Sequence, residues 1–336
     1  MRASWLLYGA TGYTGERIAR QAAATGSRPT LAARNGDKLR ALAAELDLPY
    51  LCLALDDTES LRRGVQGFSA VLNAAGPFAD TYLPLLSACL EARTHYLDIG
   101  GEVDVYEQIA DFDDEAKRAG IMLMPGVGFD MVPGDCLALY LKEQLPDADE
   151  LHIGMQCAGS LSRGTLRSAM RSMGGGTLLR RDGKLISSAD LMAKPFAFGS
   201  GAEEVAYATT FGDLSIAWRT TGIANVTSYM CPSPELAQIF SLTPAQIDTM
   251  ANGPDEHELR ELESVFVGEV RNRSGQQRRA RLVTPQVYAI TFALAAAIAE
   301  RVHSGEFTHG FRTPAAQWGC NFILGFDRCR RENLPG

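Results

Sequence analysis

The sequence predicts an α/β protein with two domains, a doubly wound parallel sheet over residues 1–135 and a second α/β domain with a mixed or largely antiparallel sheet over residues 136–300. Three observations lead there. Up to residue 124, six short apolar segments alternate with helical patterns, and a glycine-rich turn follows the first of them. Beyond residue 150 the apolar residues recur with period 2, and regular helices no longer separate the segments. The closing stretch, 301–336, is expected to return to the first domain.

In the first domain the predicted strands are Leu6 to Tyr8, Thr30 to Ala33, Tyr50 to Leu53, Val71 to Ala74, Tyr96 to Asp98 and Ile121 to Met124. The stretches GERIARQAAATG, DKLRALAAEL, DTESLRRGV, TYLPLLSACLEA and VYEQIADFDDEAKRAG between them carry helical apolar spacing. Strands joined by helices of this length pair in parallel through right-handed crossovers, and ligands then lie at the carboxyl ends of the strands. The residues just after each strand are therefore the ones to read.

After the first strand comes Gly9-Ala10-Thr11-Gly12-Tyr13-Thr14-Gly15, a GxxGxxG turn leading into a helix. Gly9 permits the tight turn, Gly12 leaves no Cβ between the backbone and a diphosphate, and Gly15 lets helix and strand pack closely. The N–H groups of Tyr13 and Thr14 lie at the positive end of the helix. With a strand before and a helix after, this is the phosphate loop of a Rossmann domain.

The second strand runs into Arg34 and Asn35, where an NAD-binding domain usually carries Asp or Glu for the ribose hydroxyls. A guanidinium there suits a 2′-phosphate, and Lys38 one turn on adds a second charge, so the expected cofactor is NADP. The alternative is a solvated Arg34, with Lys38 paired to Asp37 or Asp57. Asp56, after the third strand, is placed to accept from an adenine amine or to stand as a surface carboxylate. After the fourth strand, Asn73-Ala74-Ala75-Gly76-Pro77 has the small residues that let the chain pass under the nicotinamide ribose. There Asn73 bonds the backbone or a ribose hydroxyl, and Pro77 fixes the turn. Tyr96-Leu97-Asp98-Ile99-Gly100-Gly101-Glu102 ends the fifth strand in a polar loop on the same edge.

In the second domain the expected strands are Leu151 to Cys157, Glu204 to Thr210, Leu214 to Trp218 and Ile223 to Tyr229, then Val265 to Val270 and Arg278 to Leu282 about a Ser274-Gly275 turn. A helix capped by Ser162 ends at Gly174-Gly175-Gly176, a C-cap and loop or a lid hinge. Thr284-Pro285 is expected to start a long apolar helix, VYAITFALAAAIAERVH.

These blocks, in this order, resemble the saccharopine dehydrogenase-like family of NADP-binding oxidoreductases, including its trans-acting enoyl reductase branch. The glycine loop, AARN, NAAGPF, YLDIGGE and GFDMVPGD carry the resemblance across residues 1 to about 140, and SRGTLRSAM, TPQVYAIT and GFRTPAAQWG continue it more thinly. It implies a Rossmann domain followed by an α/β domain whose mixed sheet covers an active-site cleft. The basic residues that hold a carboxylate-rich amino acid in true saccharopine reductases have no obvious counterpart here.

Hydride transfer needs the nicotinamide fixed against a substrate carbon with a proton donor or polarising group nearby. The catalytic candidates are Asp130, in GFDMVPGD, and Tyr288, at the start of the long helix. Asp130 reads equally as a helix cap, and Tyr288 as core. His95 reads as a structural partner. A Tyr-xxx-Lys pair of the short-chain reductase kind and a GxSxG elbow are both missing from the sequence.

With a formal net charge of -8, the chain offers no basic field for nucleic acid, and a small-molecule substrate is expected. Seven dispersed cysteines with no metal-ligand spacing read as reduced thiols, and no metal is expected. SWLLYGATG runs into a glycine turn, which is not a secretory leader, and the helix after Pro285 is better buried than membrane-spanning. The expectation is a cytoplasmic NADP(H)-dependent oxidoreductase without integral membrane contact, with room for a homo-oligomer. The alternatives are an enoyl reductase on a lipid or polyketide-type chain and a non-catalytic NADP(H)-binding protein.

Overall fold

The computed structural model describes residues 4–172, 176–199, 201–233 and 242–335. The chain divides into two units, one of residues 1–128 and 291–312 and the other of residues 129–290 and 313–336.

The first unit alternates strand and helix throughout: β1 (Leu6–Tyr8), α1 (Tyr13–Ala24), β2 (Thr30–Ala33), α2 (Gly36–Leu46), β3 (Tyr50–Cys52), α3 (Thr58–Val65), β4 (Ala70–Asn73), α4 (Phe78–Ala92), β5 (His95–Asp98), α5 (Val103–Asp111), α6 (Asp113–Ala119) and β6 (Met122–Met124). With a seventh strand from residues 310–311, they form a wholly parallel sheet in which β4 and β2 flank β1. The order reverses at β1, so the loops after β1 and β4 open side by side at the switch point. The central strands are apolar and buried, as a sheet covered on both faces requires.

The second unit runs through α7 (Val132–Gln144), β7 (Glu150–Gln156), α8 (Arg163–Ser172), β8 (Thr177–Arg181), β9 (Lys184–Ser188), β10 (Ala193–Phe196), β11 (Glu204–Thr209), α9 (Asp213–Thr221), β12 (Asn225–Met230), α10 (Pro244–Thr249), α11 (Glu256–Glu261), β13 (Glu263–Arg271) and β14 (Gln277–Pro285). The helix α12 (Val287–His303) then carries the chain into β15 (Gly310–Phe311), and α13 (Pro314–Trp318) and β16 (Arg330–Leu334) follow. Among the described residues its sheet has nine strands and is mixed: β12 and β7 are parallel, and the other pairs are antiparallel.

Several expectations change. The first boundary falls after Gly128, not 135, because Gly126 and Val127 donate to Asp98 and so stay with the first sheet. The last segment divides: β15 pairs with β6, while β16 pairs with β14 in the other unit. Leu214 to Trp218 is helix α9, not a strand. Leu214, Ser215, Ile216 and Ala217 are all buried, so burial shows no period there, and Gly222 ends the helix in the left-handed region. Pro285 ends β14 opposite Glu263, and the long helix starts at Val287, its first turn held by the Gln286 Oε1 that accepts from Tyr288 N–H (2.7 Å). The Ser162 cap is present, its Oγ accepting from Thr165 N–H (3.2 Å). Of Gly174, Gly175 and Gly176, to which the hinge reading belongs, the first two lie outside the described residues.

Candidate dinucleotide site

The first turn is built by close backbone contact. Gly9 and Ala10 N–H donate to Ala32 O (2.8 and 3.1 Å), and Gly12 N–H donates to Gly9 O (3.0 Å). Gly9 sits at φ +85°, where a Cβ would meet the backbone of Ala74 and Ala75 within 3 Å, and a Cβ on Gly15 would lie 2.2 Å from Gly9 O. Gly12 differs. It is exposed, extended, and free of any contact closer than 3.4 Å, so glycine is not needed there for packing. Gly12 caps α1 without a side-chain hydrogen bond, which leaves that helix end open for an anion. Thr11, Tyr13 and Thr14 are half-buried around it.

The glycine loop bonds the end of β2, and Arg34 follows at once. Arg34 and Lys38 are both exposed, and neither makes an ion pair among the described residues. The partners weighed for Lys38 are engaged elsewhere: Asp37 lies 3.6 Å from Arg40, and Asp57 caps α3. Asn35 caps α2, accepting from Lys38 N–H (3.2 Å). Asp56 is exposed, and its charge and that of Arg34 both reach the Tyr8 phenol, whose proton affinity is raised chiefly by burial. An open helix end beside two unpaired cations fits the diphosphate and 2′-phosphate of NADP.

The second loop turns its polar atoms inward. Asn73 is fully buried: its amide donates to Thr81 Oγ1 (3.0 Å) and Tyr96 Oη (3.4 Å), and its Oδ1 accepts from Ala75 N–H (3.0 Å). Asn73 therefore shapes the Ala74-Ala75-Gly76-Pro77 loop, the backbone alternative of the two. The α4 N-terminus that follows is occupied, because the Glu102 carboxylate accepts from Phe78 N–H (3.2 Å) and Ala79 N–H (2.9 Å). Asp98, also fully buried, accepts on one oxygen from Gly100 N–H (2.9 Å) and Gly126 N–H (3.0 Å). Its other oxygen has no hydrogen-bond partner, and burial pushes the carboxyl up to about 6. Asp98 and Glu102 thus clasp the loops after β4, β5 and β6. The cap by Glu102 joins residues 23 and 24 apart and has no local sequence signal. His95 begins β5, away from this edge, and accepts from Met122 N–H (2.9 Å).

In the second unit Asp130 stands in the turn before α7, half-buried, and the helix cap is Met131, without a side-chain bond. Tyr288 is buried, its Oη accepting from Ser162 N–H (2.8 Å) and paired with Thr165 Oγ1 (2.7 Å). Burial raises the Tyr288 phenol, with Asp130 adding to the shift, and the Asp130 charge also reaches Cys157 and Asp213. The two candidates lie within each other's field. No group of His, Cys, Asp and Glu among the described residues can hold a metal ion, and no described helix is long and apolar enough to cross a membrane.

Residues 5–124 match the saccharopine dehydrogenase NADP binding domain. A probable mitochondrial saccharopine dehydrogenase-like oxidoreductase of Arabidopsis thaliana is 29% identical over 189 residues, 49% of this chain and 42% of that protein. A trans-acting enoyl reductase of Mycobacterium bovis is 32% identical over 138 residues, 39% of this chain and 33% of that protein. The alignments therefore span less than half the length of these relatives. In structure the chain is similar to apo saccharopine dehydrogenase (L-Glu forming) from Saccharomyces cerevisiae, with a TM-score of 0.68 at 14% identity over 99% of this chain and 100% of that one, a likeness of fold.

Proposed function

Given that residues 5–124 match the saccharopine dehydrogenase NADP binding domain, we propose that the chain is an NADP(H)-dependent oxidoreductase transferring hydride to or from a small organic substrate. The observation that carries the reading is the open N-terminus of α1 beside the unpaired Arg34 and Lys38. When bound, NADP(H) supplies the hydride chemistry. Gly12 admits the diphosphate, Arg34 and Lys38 hold the 2′-phosphate, and the Ala74 to Pro77 loop supports the nicotinamide ribose. Asp130 and Tyr288 are the residues we assign to proton handling, and a cytoplasmic setting suits the dispersed thiols.

Calorimetric titration with NADPH and NADH tests the cofactor, and turnover of NADPH against imines, ketones and enoyl thioesters tests the activity. Preferential NADPH binding followed by substrate-dependent oxidation is the expected result. Equal affinity for the two cofactors overturns the assignment. The enoyl reductase reading is the alternative, favoured by the 32% identity to the mycobacterial enoyl reductase, and reduction of the enoyl thioester alone selects it. Tight NADPH binding with no turnover selects a non-catalytic NADP(H)-binding protein.

A further inference from the structure

Two helix N-termini face the carboxyl edge of the first sheet from the loops after β1 and β4. That of α1 is open, whereas that of α4 is filled by the Glu102 carboxylate. Phosphate is therefore directed to the α1 side, and the nicotinamide half falls to the β4 and β5 side. On that side the chain places two acids, Asp98 at the end of β5 and Glu102 at the cap of α5.

We propose that Asp98 and Glu102 make this edge charge-selective, favouring the oxidised, positively charged nicotinamide over the neutral reduced form and so biasing the domain toward giving up hydride. The inference rests on the NADP reading of the site. Asp98 is fully buried with one oxygen unpartnered, an arrangement that a positive group nearby relieves. The forces on its carboxyl are burial first, opposed by the Gly126 and Gly100 N–H groups and by Tyr96, with the Glu102 charge adding to the rise; none of these is a cation. At about 6 its ionisation is mostly complete at pH 8. Of the other titratable groups packed here, Tyr96 on the same strand and Cys89 from α4 keep their protons far above that pH because they are buried, and Asp98 changes charge near 6 beside the Glu102 carboxylate. At an effective dielectric near 20, a carboxylate about 12–25 Å from a ring whose charge differs by one unit between its two forms shifts their relative affinity by roughly tenfold at the near end of that range to threefold at the far end.

The test is the ratio Kd(NADP⁺)/Kd(NADPH), measured by calorimetry at pH 8 for the wild type, Glu102→Gln and Asp98→Asn. Gln at 102 retains an acceptor for Phe78 N–H and loses the charge. The ratio is expected to rise by roughly threefold to tenfold in each variant. In the wild type it is expected to rise as pH falls from 8 to 5, as Asp98 takes up its proton. The cofactor's own phosphates titrate alike in both forms and cancel in the ratio. This wild-type titration decides the matter if a variant fails to fold. A ratio constant across the wild-type pH range and unchanged in any variant that folds overturns the proposal while leaving NADP binding intact. Failure of the wild type to bind either cofactor overturns the dinucleotide reading and this inference with it.

Discussion

Gly15 lies against the carbonyl of Gly9 so closely that a Cβ on Gly15 would stand 2.2 Å from that oxygen, whereas a Cβ on Gly12 would find nothing nearer than 3.4 Å. Two glycines of one motif thus serve different ends. Gly15 lets helix and strand approach, and Gly12 keeps open space in front of the helix end.

Their substitution separates folding from binding. Gly12→Val is expected to keep the wild-type melting temperature within a few degrees and to lose NADPH binding. Gly15→Val is expected to destabilise the domain by about 1–3 kcal/mol or more, since backbone must move to admit the side chain. Thermal melts with and without NADPH check both, and undiminished NADPH affinity in Gly12→Val sinks the phosphate-loop reading.

Arg34→Ala is expected to weaken NADPH binding by about 1.5–3 kcal/mol, a loss of roughly tenfold to more than a hundredfold, with NADH affinity nearly unchanged. Lys38→Ala is expected to lose less, being a point charge without bidentate geometry. Raising the salt should weaken NADPH more than NADH. Titrations at two ionic strengths check this.

Tyr288→Phe removes the acceptor of the buried Ser162 N–H and the partner of Thr165. An expected stability loss of about 1–3 kcal/mol follows in urea denaturation. If Tyr288 also handles a proton, turnover falls by roughly 10²–10⁴-fold, far beyond what the stability loss explains. Asp130→Asn, in a half-buried turn without a cap to lose, should lower turnover while sparing stability. Turnover unchanged in both variants removes them as catalytic residues.

Asp135 gives a pH dependence of known sign. Burial raises its carboxyl to about 7, although Thr220 and Ala315 N–H donate to it. Its folded value lies above its unfolded value of about 3.9. Its contribution is therefore complete below about pH 4 and is lost as pH rises through about 7. Asp135→Asn should flatten the fall in unfolding free energy between pH 5 and pH 8, by on the order of a few kcal/mol. Urea midpoints at the two pH values measure it, and an equal fall in wild type and variant contradicts the buried-acid account.

Much of the first unit was legible in the sequence. Gly9, Gly12 and Gly15, Arg34 after β2 and the small residues after β4 all follow strands within a few positions, so chain order alone carries them to one edge. In the second unit, period and burial parted company. At α9 neighbouring residues are buried on every side, and the alternation that suggested a strand had no diagnostic value.

By itself the sequence determined the parallel sheet, the glycine turn after its first strand and the family resemblance, because each is written in contiguous residues and local periodicity. Only the tertiary structure decided which polar groups serve the fold and which stay open. Asn73 turned inward, Glu102 filled the α4 terminus, Asp98 joined two glycine loops and Tyr288 anchored the start of α8, while the α1 cap made no side-chain hydrogen bond and Arg34 stayed exposed. The reason is physical. A hydrogen-bond donor or acceptor takes whichever buried partner folding brings to it, and those partners lie tens to more than a hundred residues away in the chain.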